Sequence, residues 1–447
     1  MEKIVYSFVG SFFLMYIIVI SIRKKHFYFV YNFILITLCA LYDKLHYFMK
    51  LLRFIWLLLA VCIFNACGVY NIGKQKEVES LLASVRNSVV PDRRVGVFDV
   101  EPVIKGKQVL LKGVTTSAQG KGEASSLLRN AGWRVTDSIR LIPDASAGVP
   151  LYGVVNHSVV PMNTNPRFSA EMTTQALLGM PVRILEDNSW LRVQTPDDYI
   201  AWTVSGYIQQ MNREEFNNWI TAPKIIYLSH YGYAYSSQDV LSEPVSDLVS
   251  GCMLRLESDL GEFYKVSYPD GRSAFVLKKE SKPVEEWLGD IDLSSESLIR
   301  TAHSLNGVPY LWGGTSSKGV DCSGFIKTIT FLHGLILQRD ASQQAYTGNP
   351  VDVSNGYDNL KPGDLLFFGD KASGNDQERV IHVGLYMGNL TFIHSINNVH
   401  TGSFDPSSPL YDEYNTSRFI RATRILGAVG SKGISTIQAN PLYQPVK

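Results

Sequence analysis

Hydrophobic positions are unevenly spread along this chain. Residues 1–66 hold three apolar stretches, at 8–20, 27–40 and 54–64, separated by segments that carry Arg23, Lys24, Lys25, Asp43 and Lys44. Beyond residue 70 these blocks give way to short periodic patterns. Residues 78–86 space their apolar side chains along one helical face. Alternation at 94–100 and 108–113 predicts strands; the Ala-, Leu- and Arg-rich run 121–131 predicts a helix, and 133–142 another strand. Together these make a small α/β unit over 67–143. From 144 to 222 the strands shorten and turn residues become frequent, with runs at 151–155, 180–185, 190–194 and 199–202. That rhythm predicts a small β-barrel. Residues 223–286 repeat it more faintly at 253–256, 263–266 and 273–276. A linker at 282–287 leads into 287–430. There, a helix-length apolar run (324–337) precedes β-type runs at 379–386 and 391–395, and Met387-Gly388-Asn389 between them predicts a hairpin turn. The tail, 431–447, reads as flexible.

Charge and cysteine usage narrow the function classes. The 447 residues carry a formal net charge of +1, which offers no basic surface for nucleic acid and no electrostatic hold on a membrane. Five cysteines are scattered without pairing spacings, so no disulfide framework is implied. Cys39, Cys62 and Cys67 fall within the apolar N-terminal region. Residues 49–66 have a basic start, an apolar run too short to span a bilayer, and the small residue Ala66 just before Cys67.

The candidate chemistry lies at 321–325, Asp-Cys-Ser-Gly-Phe. A glycine-rich turn, Tyr310-Leu311-Trp312-Gly313-Gly314, comes before it and the apolar run comes after. This places the Cys322 thiol at a helix N-terminus, where unpaired N–H groups and the helix dipole favour a thiolate. His382 and His394 sit on the two arms of the expected hairpin, which brings both imidazoles to one face of a sheet. A nucleophile, a base and a group that orients the base are the parts of a covalent hydrolase site. A Cys/His/His zinc site is the rival chemistry, but the close ligand pairs of structural zinc are missing. Cys252, in a strand-like apolar run, reads as a small buried hydrophobe. His157, His230, His303, His333 and His400 have no comparable setting.

Five ordered blocks resemble the NlpC/P60 cysteine peptidases: Tyr-x-Trp-Gly-Gly, Asp-Cys-Ser-Gly-Phe, Lys361-Pro-Gly-Asp-Leu-Leu-Phe-Phe368, His382-Val-Gly-Leu-Tyr386 and Phe392-Ile-His394. The resemblance covers residues 290–428. Within the family the chain looks most like the dipeptidyl-peptidase VI type, which cuts γ-D-glutamyl-diamino acid bonds of peptidoglycan peptides. It implies an α+β chain with a papain-like catalytic domain preceded by two SH3-like β-barrels and the small α/β domain, and it implies no metal or cofactor. Carried over, Cys322 is the nucleophile, His382 the base and His394 the polar third member. The backbone N–H of Cys322 and the Tyr310 hydroxyl are the candidate oxyanion donors. By resemblance, Asp321 and Ser323 hold a substrate L-alanine ammonium and Trp312 walls that pocket; the Arg339-Asp-Ala-Ser-Gln-Gln344 stretch, with Ser342, borders the cleft. The first SH3-like domain then supplies an acid, Glu171, and an aromatic, Tyr207, with Trp202 as competitor. The 49–66 segment resembles a bacterial lipoprotein signal. On that reading Met49 is the start, residues 1–48 are an upstream extension, and Cys67 carries the lipid that anchors an exported enzyme in the cell envelope. A multi-span anchor is the alternative for this region. For function the alternatives are a papain-like amidase or acyltransferase acting on wall material, and a catalytically silent wall-binding lipoprotein.

Overall fold

The computed structural model describes residues 27–446 apart from 145, 147, 149 and 375, and excludes the side chains of 27–33 and 59–72. The chain divides into two compact units, Met1–Ser80 and Leu81–Lys447. In the first, the described backbone is helical and belongs to the helix Phe27–Val89. The apolar stretch at 8–20 lies outside the described residues, as does the Cys67 side chain. No helix among the described residues is long and apolar enough to cross a membrane. The amphipathic run 78–86 is the last part of the long helix and not a separate element.

The second unit begins with a three-stranded sheet. The strands Phe98–Lys105 and Gln108–Thr115 form an antiparallel hairpin. The helix Ala118–Asn130 then crosses over to Arg134–Leu141, which pairs in parallel with Gln108–Thr115. The first strand starts four residues later than its alternation predicts. Asp92 takes hydrogen bonds from the backbone and guanidinium of Arg94, so this segment is a turn and Arg94 is aimed away from the sheet.

Two seven-stranded sheets follow, one between Tyr152 and Met211 and one between Lys224 and Pro283. Each closes over its own apolar core: Val155, Met162, Val182, Leu191 and Val193 in the first, and Ile225, Leu248, Leu254, Val266 and Val276 in the second.

The last module is α+β. Six antiparallel strands lie in the order Asn349–Val351, Phe419–Arg424, Leu365–Asp370, Arg379–Gly388, Thr391–Ile396 and Asn398–Ser403. The helix Cys322–Phe331 is buried along all ten residues. Its Phe325, Ile326 and Ile329 share a core with Leu365, Phe367, Val383, Leu385 and Ile393 of the sheet. The expected hairpin forms with Asn389 and Leu390 as its turn, both at positive φ (50° and 58°).

The segment after Gly430 is not a loose tail. Ile434–Thr436 pairs with Leu335–Leu337, and Ile434 and Ile437 are buried. Further on, Asn440 Nδ2 donates to Pro196 O and Asn217 Nδ2 to Val446 O, so the segment straps the catalytic module to the first barrel.

Candidate active site

The nucleophile is set by local helix chemistry. Asp321 is in an extended conformation and caps the helix, its Oδ1 accepting from Gly324 N at 2.7 Å. Cys322 is therefore the first helical residue, and its own N–H has no partner within the helix. Gly324 is required by close approach: a Cβ there would stand 1.9 Å from Gly314 O. The Gly-Gly turn and the helix start are thus pressed backbone to backbone. Cys322 keeps 7% exposure and opens onto a cleft of about 320 Å³.

The two histidines meet behind it. Gly384 faces His394 across the strand pair, and a Cβ at Gly384 would lie only 3.3 Å from the Cβ of His394. The missing side chain lets the rings of His382 and His394 come together, with Nε2 of His382 2.8 Å from Nδ1 of His394. Nδ1 of His382 takes no part in that bond. The N–H of Val383, the next residue, points at the Cys322 sulfur.

Burial sets the resting charge of this group. It pushes the Cys322 thiol up to about 12, reinforced by the Asp321 carboxylate and opposed by the Val383 and Ser323 N–H groups and by Arg339. Burial likewise holds His382 well below 6.5, with His394, Arg418 and His400 adding like-charge repulsion. His394 is lowered to about 4, by burial first and then by His400. Burial thus favours the neutral thiol and neutral imidazoles, and works against the thiolate that a helix N-terminus favours.

Asp321 has a different role from the one expected of it. Its two oxygens accept from Gly324 N, Ser323 Oγ and Arg339 Nη1 on one side, and from Gly313 N and Arg339 Nη2 on the other. Five donors saturate a carboxylate, and the buried guanidinium of Arg339 neutralises it. The expectation that Asp321 holds a substrate ammonium is therefore corrected: it caps the helix and anchors Arg339. Ser323 Oγ is part of the same cluster, taking a bond from Arg339 Nη1 at 3.0 Å.

The cleft is completed from outside the catalytic module. From the first barrel, Glu171 Oε1 accepts from Trp312 Nε1 at 2.7 Å, Thr174 Oγ1 accepts from Arg339 Nε, and Gln175 Oε1 accepts from Thr315 N. The N-terminal module sends Arg94, whose Nη1 donates to Asp340 Oδ2 at 2.9 Å and to Ser342 Oγ at 2.8 Å.

Of the residues singled out in the sequence, Cys322, Glu171, Tyr310, Trp312, Asp321, Ser323 and Ser342 line this one cleft, and His382 and His394 lie buried behind it. Tyr207 does not reach it. It falls in a 3-10 turn, packs against the barrel core and meets the His157 ring edge-on. Trp202 lies under Arg192. The aromatic that the first barrel contributes is Tyr199, whose hydroxyl burial holds un-ionised. Arg94, Tyr199, Arg339 and Arg379 line the cleft as well, and sequence reasoning gave none of them a role. Arg339-Asp340 stood in a segment recognised as bordering the site; nothing local marked Arg94.

A cysteine at a helix start, backed by a hydrogen-bonded histidine pair on an antiparallel sheet, is the arrangement of a papain-like thiol hydrolase. Comparison with known proteins carries this further. The NlpC/P60 family pattern matches residues 307–424, and that of the bacterial dipeptidyl-peptidase SH3 domain matches residues 162–204. Dipeptidyl-peptidase 6 of Lysinibacillus sphaericus is 32% identical over 278 residues, covering 58% of this chain and 94% of that protein. The γ-D-glutamyl-L-lysine dipeptidyl-peptidase of Bacillus cereus is 28% identical over 59% of this chain and 79% of its own length. A crystal structure of an NlpC/P60 family protein from Bacillus cereus superimposes with a TM-score of 0.52 at 24% identity, over 62% of this chain and 99% of that one, and shares the fold. The chain belongs to the NlpC/P60 family and is a cysteine-type peptidase.

Proposed function

We propose that this enzyme hydrolyses the γ-D-glutamyl-diamino acid bond of peptidoglycan-derived peptides that carry a free N-terminal L-alanine. The observation that carries this reading is Glu171, an acid delivered by the first barrel into the Cys322 cleft. Asp321 is paired with Arg339, and Asp340 with Arg94, which Asp92 also holds. The Glu171 carboxylate has only the Trp312 indole N–H among the described residues, and the Arg379 guanidinium has no described partner. An acid and a base thus remain for a ligand with one free ammonium and a free carboxylate. A γ-linked D-glutamyl peptide has both, because its α-carboxylate is not used in the chain. Glu171 takes the ammonium and Arg379 a carboxylate.

The reaction runs through an acyl-enzyme. Cys322 Sγ attacks the γ-carbonyl carbon while its proton passes to Nδ1 of His382. The oxyanion is met by the Cys322 N–H and the Tyr310 hydroxyl. As the C–N bond breaks, His382 returns the proton to the leaving amine. Water then attacks the thioester, again with His382 taking the proton, and the thiol is restored. His394 fixes the His382 tautomer throughout.

We further infer that residues 49–66 are a lipoprotein signal and that Cys67 is lipidated, which puts the enzyme in the cell envelope, where wall peptides are released. Loss of lipid labelling in Cys67→Ser is the expected result, and unchanged labelling excludes it. The activity is tested by mass analysis of products from L-Ala-γ-D-Glu-L-Lys and its diaminopimelate analogue. The expected products are L-Ala-γ-D-Glu and the free diamino acid. Cys322→Ala yields neither while retaining a cooperative unfolding transition, and turnover by that variant would end the reading.

A further inference from the structure

The histidine pair leaves one buried polar atom without a partner. Nε2 of His394 has no hydrogen bond among the described residues, although the residue is 0% exposed. An orphaned N–H at such a place is costly unless something accepts it. The carboxylate of Asp412 stands nearby, its Oδ2 3.7 Å from that nitrogen.

Proton placement gives this distance a meaning. For His382 to accept the thiol proton at Nδ1, its own proton must sit on Nε2. That proton is donated to His394 Nδ1, 2.8 Å away. His394 then carries its single proton on Nε2, pointing toward Asp412. The opposite tautomer of His394 would donate from Nδ1 and force the His382 proton onto Nδ1, where the base must be bare. An acceptor at Nε2 of His394 thus selects the working state of a residue two rings away.

Asp412 is held where such an acceptor is needed. It caps the helix Glu413–Ser417, accepting from Asn415 N at 3.0 Å and from Asn415 Nδ2 at 2.5 Å. Its own N–H donates to Ser403 O at 2.9 Å, tying it to the edge strand. The other titratable or charged groups near the pair are cationic or neutral. The His400 ring lies 4.6 Å from that of His394 with its Nδ1 near Asn398 O, and the Arg418 guanidinium is stacked 3.9 Å from the Tyr414 ring and bonded to Asn415 Oδ1. Both oppose a charge on the pair, as burial does, and Asp412 alone favours it.

We propose that Asp412 is a positioning residue that completes a four-membered chain, Cys322–His382–His394–Asp412, by accepting the Nε2 proton of His394. It touches no reacting atom. It fixes the tautomer of the pair and stabilises the positive charge that develops on His382 during attack. The inference rests on the assignment of Cys322 and His382 above.

The test measures kcat and KM on the tripeptide, together with the rate at which iodoacetamide alkylates Cys322 as a function of pH, for Asp412→Asn and Asp412→Glu. Asparagine keeps an oxygen for the helix cap but loses the charge. The expected result for Asp412→Asn is a fall in kcat of roughly 10- to 100-fold, the range typical of outer partners that orient a functional histidine. KM stays within about two-fold, alkylation at neutral pH slows with kcat, and Asp412→Glu recovers part of both. Unchanged kcat and alkylation in Asp412→Asn would overturn the proposal. So would losses that merely track a lowered Tm in every variant. If the asparagine variant does not fold, Asp412→Ser is measured instead, since serine caps helices well and is too short to reach His394. In His382→Gln alkylation must also slow. If it does not, the underlying site assignment fails; if it does while Asp412→Asn is unaffected, only the four-membered chain fails.

Discussion

The two barrels share a strand count and an all-antiparallel layout, yet they meet the catalytic module through different chemistry. The first docks by buried polar groups. Thr174 and Gln175 bond Arg339 and the Thr315–Ser316 segment, and Asp197 Oδ2 meets Lys327 Nζ at 2.6 Å with both side chains largely enclosed. The second packs Ile226 and Met253 into an apolar cluster with Trp287, Phe331 and Ile336, with Lys318–Asp247 at the rim. Hydrogen bonds are directional and an apolar contact is not. The second barrel also bonds through His230, to Ser304 and Ser317, but at an exposed rim, so the first is the more firmly oriented barrel and the second is chiefly held. The oriented one brings Glu171 and Tyr199 to the cleft, and no residue of the second lines it.

The largest expected effect comes from cutting the polar joint at its centre. Arg339→Met leaves the enclosed Asp321 carboxylate without its counter-charge, and breaking such a pair from one side costs about 3–5 kcal/mol. Denaturant unfolding should show that loss, together with weaker discrimination between free-amine and N-acetylated peptides. The apolar joint should behave otherwise. Met253→Ala is expected to cost about 2–5 kcal/mol as a core truncation, while the discrimination of the folded enzyme stays as in the wild type. A loss of discrimination in Met253→Ala would erase the contrast.

A pH titration probes the catalytic module alone. His394 titrates near 6.5 when unfolded and at about 4 when folded, so between those values the unfolded chain binds more protons. Its contribution is complete above pH 6.5 and is lost as the pH falls through 4. At about 1.4 kcal/mol per pH unit it amounts to about 3 kcal/mol. His382 is shifted in the same direction and adds to the loss. Thermal unfolding followed from pH 7 to pH 4 should show this slope, reduced in His394→Gln.

What the sequence made legible follows the same division. Cys322, Trp312, Asp321, His382 and His394 sit in contiguous stretches where turn, cap and strand chemistry act within a few residues, and their placement was readable. Glu171 was legible through resemblance. Arg94 and Tyr199 reach the cleft only because separate modules dock in one orientation, and no local pattern encodes that. The sequence offered Tyr207 and Trp202 for the aromatic; Tyr199, just before the strand Ile200–Val204, carried no local sign that it reaches the cleft. Asp321 was read from the charge it carries; the Arg339 that neutralises it is 18 residues away and appears only in the fold.

The most direct test of the account is kcat/KM for L-Ala-γ-D-Glu-L-Lys against its N-acetylated form, in the wild type and in Glu171→Gln. Glu171 is exposed in the free enzyme, so what N-acetylation removes is hydrogen bonding to a charged group, worth about 1.5–3 kcal/mol, and the wild type should prefer the free amine by roughly 10- to 150-fold. Glu171→Gln should lose activity on the free amine and close most of that gap. Equal rates on both peptides in the wild type, or an unchanged gap in the variant, would contradict the claim that the first barrel completes the active site.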